Sequence, residues 1–333
     1  MKKRIFTGLT ATGDLTIGNY LGAIKNILES QDKEDKEVFL FIADLHGLTE
    51  QITAKEIRAN VLNHLKIYLA AGIDVNKVKL FVQSSIIGHT ELAWFLTVNS
   101  TMGQLSRLTQ FKDKSQKQAN KTKSIPTGIF MYPTLMAADI LLYNADEIPL
   151  GEDQRQHLEL TRDLAQKINK KYKLHLQIPK MIVAKEGAKI FALQNPDKKM
   201  SKSDSNLNNT IFLLDDEKVI AKKINNAITD SENKVYFDPI NKPGVSNLMT
   251  IYGALNNLSM KEAEEKLKTL DYKELKQTVI KTLNELLLPL QKKYNELTKK
   301  DIIEALAVNK DYVQEEAYKT LKVVKERFGL IYE

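Results

Sequence analysis

Three groups of residues could carry chemistry. The first is Lys198-Lys199-Met200-Ser201-Lys202-Ser203, within a polar run at 197–209 that shows neither strand nor helix period. Two ammonium groups on such a loop are compact point charges able to follow the charge of a triphosphate as a bond to it breaks. The second is Thr16-Ile17-Gly18-Asn19, which opens a helix directly after the first strand candidate. A helix start in that position offers free N–H groups to an anion, and the bare backbone of Gly18 lets a flat base lie against it. The upstream run Gly8-Leu9-Thr10-Ala11-Thr12-Gly13-Asp14 has the glycine spacing of a phosphate loop, but Asp14 stands where a lysine is needed. A carboxylate there repels phosphates, so that reading fails. The third group is Tyr132, Met136 and Asp139, spaced i, i+4, i+7 on a segment able to start a helix at Pro133. Such stripes usually pack cores, but an unpartnered buried carboxylate costs several kcal/mol, so Asp139 calls for a donor. An indole N–H or a phenol O–H would serve, and the residues alone leave both open.

These groups need a scaffold, and the first half of the chain alternates strand and helix signals. Strands are expected at 4–7, 38–43, 80–83 and 146–150, with helices at 18–30, 53–71 and 152–171. Thr53 with Glu56 three residues later forms a capping box. The apolar run 38–43 is the mark of a strand buried on both faces, and strands joined by helices this long form a parallel sheet. The expected fold class is therefore α/β, a doubly wound, Rossmann-like catalytic domain at 1–204. His46, just beyond strand 38–43, falls near the carboxyl ends where such sheets bind ligands. After 205 only helical periodicity remains, at 217–228, 244–256, 261–268, 272–297 and 301–328, with a kink expected at Pro289. This second part is expected to be all-helical.

Composition narrows the function classes. The chain has 333 residues, 43% hydrophobic and 27% charged, as an ordinary globular enzyme does. No apolar run reaches the roughly 18 residues a membrane helix requires. The basic start Met1-Lys2-Lys3-Arg4 lacks the apolar stretch of a secretory signal, so a cytoplasmic location is expected. With no cysteine and five scattered histidines, no protein-held metal is expected. Lys and Arg outnumber acids 26 to 20 over 1–190 and 23 to 22 after it. The basic excess peaks in a lysine-rich insertion at 112–124, a solvated loop or a flap facing phosphates.

The pairing of a Thr-Ile-Gly-Asn helix start with a Lys-Met-Ser-Lys-Ser loop resembles the class I aminoacyl-tRNA synthetases, with their HIGH-like and KMSKS signatures. More narrowly, the chain resembles bacterial tryptophanyl-tRNA synthetases over nearly its whole length. The stretches that match are GDLTIGNYLG at 13–22, DLHGLT at 44–49, TQFKDKS at 109–115, YPTLMAADILLYN at 132–144, GEDQRQHLELTRDLA at 151–165, KKMSKSD at 198–204 and AITDSE at 227–232. One departure stands out: after its first strand the family usually has Gly-Gln-Pro-Ser-Gly-like residues, and here Thr10-Ala11-Thr12-Gly13 takes their place without the glutamine.

The resemblance implies a tryptophan–tRNA ligase working in two half-reactions, adenylate formation and transfer to tRNA(Trp). It implies charge relief on departing pyrophosphate by Lys199, Lys202 and Lys114, with Mg²⁺ held mainly by the phosphates. It implies that ATP meets Thr10, Ala11, Thr12, Thr16, Gly18, Asn19, Gly151, Glu152, Asp153, Ile190, Met200, Ser201 and Ser203 as well as the two loop lysines. Tryptophan would lie among Phe6, His46, Tyr132, Met136, Asp139, Ile148 and Gln154. A homodimer, anticodon contact by 205–290, C-terminal helices at 291–333 that pack back on the catalytic domain, and no role for DNA or a membrane follow from the same resemblance. The alternatives are a tyrosyl enzyme, a small nucleotidyltransferase of the HIGH superfamily and a non-catalytic RNA-binding paralogue.

Overall fold

The computed structural model describes residues 2–109, 111–112, 125–183, 189–202 and 204–330. Lys114, Ser203 and nearly all of the lysine-rich insertion lie outside the described residues. Five parallel strands, β1 (Lys3–Thr10), β2 (Lys36–Ala43), β3 (Val78–Val82), β4 (Glu147–Leu150) and β5 (Lys180–Val183), form one sheet in the order β3-β2-β1-β4-β5. Side chains alternate across it. Ile5, Val38, Leu40, Ile42, Val78 and Leu80 join an aliphatic cluster on one face, while Phe6, Phe39, Phe41 and Phe81 join a largely aromatic one on the other. Burial on both faces explains why β2 reads as a continuous apolar run.

Helices cover both faces. Helix α1 (17–31), which contains a π-helical stretch at Tyr20–Ile24, and α2 (Ala54–Ala71) pack on the aliphatic face. Helices α3 (Gly88–Thr97), α4 (Thr127–Leu142) and α5 (Arg155–Tyr172) cover the aromatic face. The Thr53–Glu56 capping box at the start of α2 forms as the sequence requires. Pro133 does not start α4. It lies inside that helix, where its missing N–H leaves the Ile129 carbonyl without an intrahelical partner.

A two-stranded hairpin, β6 (Phe191–Ala192) with β7 (Asn195–Lys199), follows β5. Sequence reasoning placed 197–199 in an irregular loop. The charged β7 side chains are exposed on a strand held through its backbone, so no apolar alternation marks it. The remainder is helical: α6 (Glu217–Asn225), α7 (Pro243–Leu255), α8 (Met260–Leu267), α9 (Tyr272–Glu296), α10 (Lys299–Ala307) and α11 (Lys310–Arg327). The aliphatic cluster runs from the sheet into this part through Ile220, Leu248, Val279 and Leu283. Helix α9 continues through Pro289.

The helix expected at 301–328 is two. Asn309, between α10 and α11, turns its side chain to donate to the Val75 and Val78 carbonyls at 2.8 and 3.1 Å, a tertiary bond that interrupts the helix. Beyond it, Val313, Ala317, Leu321 and Val324 of α11 pack into the aromatic cluster, and Glu316 pairs with Arg4 of β1.

Strands β1 and β2 pair along their whole length, from Lys3 opposite Lys36 to Thr10 opposite Ala43, but β1 and β4 share a register only at Ile5 and Glu147. Beyond that pair the two strands stop being ladder partners, at the point where the strand order reverses.

Candidate active site

Doubly wound sheets bind ligands outside the carboxyl ends of their strands, where strand order reverses. Here that place holds a cavity of about 450 Å³, lined by Phe6 to Thr10 of β1, Ile148 to Leu150 of β4, and residues following β2 and β4. Pro149 stands on the β4 wall, a residue with no N–H to give a ladder.

Asp139 of α4 is 1% exposed and lines this crevice. Its Oδ1 accepts from Gln83 Nε2 at 2.7 Å and from His89 Nδ1 at 2.6 Å, and its Oδ2 accepts from His46 Nε2 at 2.8 Å. Burial alone would raise its pKa; the hydrogen bonds from His46 and His89 outweigh that and hold the carboxyl below its ordinary range. An ionised carboxylate only accepts, so both histidines present N–H to it. His89 Nε2 then accepts from the Tyr143 hydroxyl at 3.0 Å, which burial keeps protonated. Asp139 is therefore not a bare group awaiting one donor. Among the described residues Oδ1 has two partners and Oδ2 has one, which leaves acceptor capacity on Oδ2 for a further donor.

A second chain of polar groups starts from Tyr132, along one face of α4 from Asp139. The Tyr132 hydroxyl meets His157 Nε2 at 2.9 Å, His157 Nδ1 meets Gln154 Oε1 at 2.7 Å, and Gln154 Nε2 donates to Asp153 Oδ2 at 2.7 Å. These roles agree if His157 carries its proton on Nδ1 and accepts from the phenol. Burial, helped by the Asp153 charge, pushes the Tyr132 pKa up.

The third element is the turn after β1. Gly13 has φ +55, the left-handed region that glycine enters without cost. Helix α2 holds this turn from beneath: Asn60 Nδ2 donates to the Ala11 carbonyl at 3.2 Å, Asn63 Nδ2 to Asp14 Oδ1 at 3.2 Å, and His64 Nε2 meets the Gly13 carbonyl at 2.9 Å. From above comes Lys202, whose Nζ donates to the Thr12 carbonyl at 2.5 Å and to Thr12 Oγ1 at 2.7 Å. Burial lowers the Lys202 pKa, while the carboxylates of Glu50 and Asp14 oppose that shift.

The lysine loop is also fastened to the helix start. Ile17 N donates to Ile211 O at 2.9 Å, Leu213 N to Leu15 O at 2.9 Å, and Thr210 Oγ1 to Ser201 O at 2.8 Å. At the head of α1, Thr16 and Asn19 form a capping box that uses the Asn19 side-chain oxygen.

Of the residues singled out from sequence, Phe6, Thr10, Thr12, His46, Tyr132, Met136, Asp139, Ile148, Asp153, Gln154 and Lys202 share the crevice. Thr16, Gly18, Asn19, Gly151 and Glu152 do not line it, and Ala11 is buried at the turn. Ile190 and Met200 pack in the aliphatic core, with Met200 N bonded to Ile190 O at 2.9 Å. Lys199 ends β7 with an exposed side chain, and Ser201 is exposed beside it. Sequence reasoning missed Gln83, His89, His157, Asn60, Asn63 and His64. The last three had a signal, polar residues at i, i+3, i+4 on an otherwise apolar helix face.

The chain's likeness to known proteins agrees with this geometry. The family model described as class I tRNA synthetases for tryptophan and tyrosine matches residues 1–288. A tryptophan–tRNA ligase of Malacoplasma penetrans is 47% identical over 331 residues, which cover 98% of each chain. Among solved structures, tryptophanyl-tRNA synthetase of Mycoplasma pneumoniae superposes with a TM-score of 0.91 at 39% identity, covering 99% of both chains. The Campylobacter jejuni enzyme, complexed with ADP and tryptophan, gives 0.82 at 31% identity, covering 98% of this chain and 100% of that one. A reversing parallel sheet with a lysine loop stitched to its first helix, and likeness of this extent along the whole chain, have one reading: the chain belongs to the class I tRNA synthetases for tryptophan and tyrosine, and within them to the tryptophan–tRNA ligases.

Proposed function

We propose that the crevice between β1 and β4 carries adenylate formation, with the indole N–H of tryptophan donating to Asp139 Oδ2 and the triphosphate of ATP reaching Lys202. The observation that carries this reading is that Asp139 and Lys202 line one and the same cavity. Phe6, Met136 and Ile148 enclose the ring, Tyr132 and His46 flank it, and Gln154 with Asp153 meets the substrate ammonium group. The tryptophan carboxylate attacks the α-phosphorus of ATP in line, giving the adenylate and pyrophosphate; a terminal ribose hydroxyl of tRNA(Trp) then takes the acyl group. The first step needs alignment and relief of charge on pyrophosphate more than covalent help. Lys202, joined by Lys199 and Lys114, supplies that relief.

ATP enters as its Mg²⁺ complex, with the metal held mainly by the phosphates. The nucleotide lies along the turn Thr10, Ala11, Thr12, the helix start at Thr16, Gly18 and Asn19, and the segment Gly151, Glu152, Asp153. Ile190 and Met200 back its ribose and base side from the aliphatic core, as Gly151 and Asp153 do from the segment after β4, and Ser201 and Ser203 belong to the same nucleotide site. That the Campylobacter jejuni relative was solved with ADP and tryptophan supports both co-substrates. The helical part at 205–290 contacts the tRNA anticodon, and the setting is the cytoplasm. Among the described residues no helix is long and apolar enough to cross a membrane.

The working unit is a homodimer joined through the outer face of α3. Ile87, Trp94, Val98 and Met102 are 78%, 65%, 54% and 73% exposed there, and a groove beside them shares Thr49 and Tyr132 with the crevice. Contiguous apolar surface of this kind marks an interaction face.

The test is ATP–pyrophosphate exchange with each amino acid in turn: tryptophan alone should support it. Lys202→Ala should slow exchange by about 10²–10³ while tryptophan still binds, the scale for loss of one transition-state contact. Exchange at the unaltered rate would remove Lys202 from the mechanism.

A further inference from the structure

We propose that His64 is a positioning residue for adenylate formation: with Asn60 and Asn63 it holds the turn at 11–14 in the shape on which Lys202 docks. The inference rests on the role given above to Lys202.

The argument begins with three successive carbonyls. Those of Ala11 and Gly13 accept from Asn60 and His64 of α2, and the one between them, on Thr12, accepts from Lys202. Alternation of this kind ties the groups together, because rotating the peptide on either side of Thr12 turns its carbonyl away from the lysine. Gly13, with φ +55, gives the turn a flexible pivot. The restraint comes from the helix below.

His64 is an odd choice if packing were its only task. It is fully buried, and among the described residues its Nδ1 has no hydrogen-bond partner. A leucine would fill the same space without leaving a buried nitrogen unsatisfied. What leucine lacks is the Nε2–H that the Gly13 carbonyl accepts. Burial pushes the imidazole pKa down to about 4, and the Gly13 carbonyl, the Lys202 charge and the Asp14 charge act as lesser influences. The ring is therefore neutral at physiological pH and sits near Lys202 without repelling it.

The test uses the full-length enzyme and four variants: His64→Leu, His64→Gln, Lys202→Ala and the double variant. His64→Gln keeps a donor at a similar reach. A carbonyl deprived of its buried donor loses 1–3 kcal/mol, so His64→Leu should lower kcat/KM for ATP in exchange by roughly 5–150-fold. Tryptophan affinity by equilibrium dialysis should stay within about twofold of the parent, His64→Gln should restore most of the loss, and His64→Leu should add almost nothing in the Lys202→Ala background. If His64→Leu does not fold, Asn60→Ala at its half-buried position carries the same test. Equal losses for ATP and tryptophan, no rescue by glutamine, or additive losses in the double variant would each overturn the inference. A slow Lys202→Ala beside an unaffected His64→Leu overturns this inference alone, whereas an unaffected Lys202→Ala overturns the reading of the lysine as well.

Discussion

Asp139 is ionised in one of the driest parts of the crevice because Gln83, His89 and His46 all donate to it. That arrangement makes replacement by an amide costly twice over. Asn presents an NH₂ to groups that are themselves donors, and it no longer offers a charged acceptor to the substrate. A hydrogen bond to a charged group contributes 1.5–3 kcal/mol, so Asp139→Asn should raise KM for tryptophan by roughly 10–150-fold and narrow the discrimination against phenylalanine. Exchange kinetics with the two amino acids check this, and an unchanged preference would refute the pocket. Asp139 was legible in the sequence because a carboxylate on a helix face with Tyr132 and Met136 demands an explanation. Its partners were not: Gln83 and His89 lie 56 and 50 residues away, and only the fold brings them to it. His64 escaped for the opposite reason, since a lone histidine on an apolar helix face reads as packing until the Gly13 carbonyl is seen above it.

At the scale of elements, alternation and capping told most of the story. The apolar run in β2, the capping box of α2 and the long amphipathic α5 formed where their patterns placed them, because each is fixed by local chemistry together with burial on a defined face. Elements decided by distant partners were hidden. The hairpin β6–β7 has no apolar period, and the break between α10 and α11 arises from one side chain reaching another part of the chain. Asn309 is 2% exposed there and bonds two carbonyls beside β3. Asn309→Ala should therefore cost about 1–3 kcal/mol, seen as a lower urea midpoint, while exchange kinetics at 25 °C stay at the parent level because the site is remote. A midpoint equal to the parent's would mean that the break needs no such bond.

For the whole molecule, the fold class was readable from strand and helix alternation, whereas the choice of tryptophan over tyrosine was not, because indole and phenol both donate. Likeness along the full chain settles that choice. The proposed association with a second copy makes a prediction at this scale. Trp94, the chain's one tryptophan, is 65% exposed on the outer face of α3. Burying a charge in an apolar interface costs several kcal/mol, so Trp94→Glu should shift the species seen by light scattering from dimer to monomer at micromolar concentration. A dimer that withstands the change would place the interface elsewhere.

The divergence of β1 from β4 past Ile5 and Glu147 has a last consequence. On that side the first strand exposes its peptide groups to the crevice rather than to a neighbour, and every residue type brings the same N–H and C=O, proline's missing donor aside. Recognition through the main chain is blind to side-chain identity. What enters the gap therefore meets the main chain of β1, which lines the crevice from Phe6 to Thr10, whatever side chain stands at position 10.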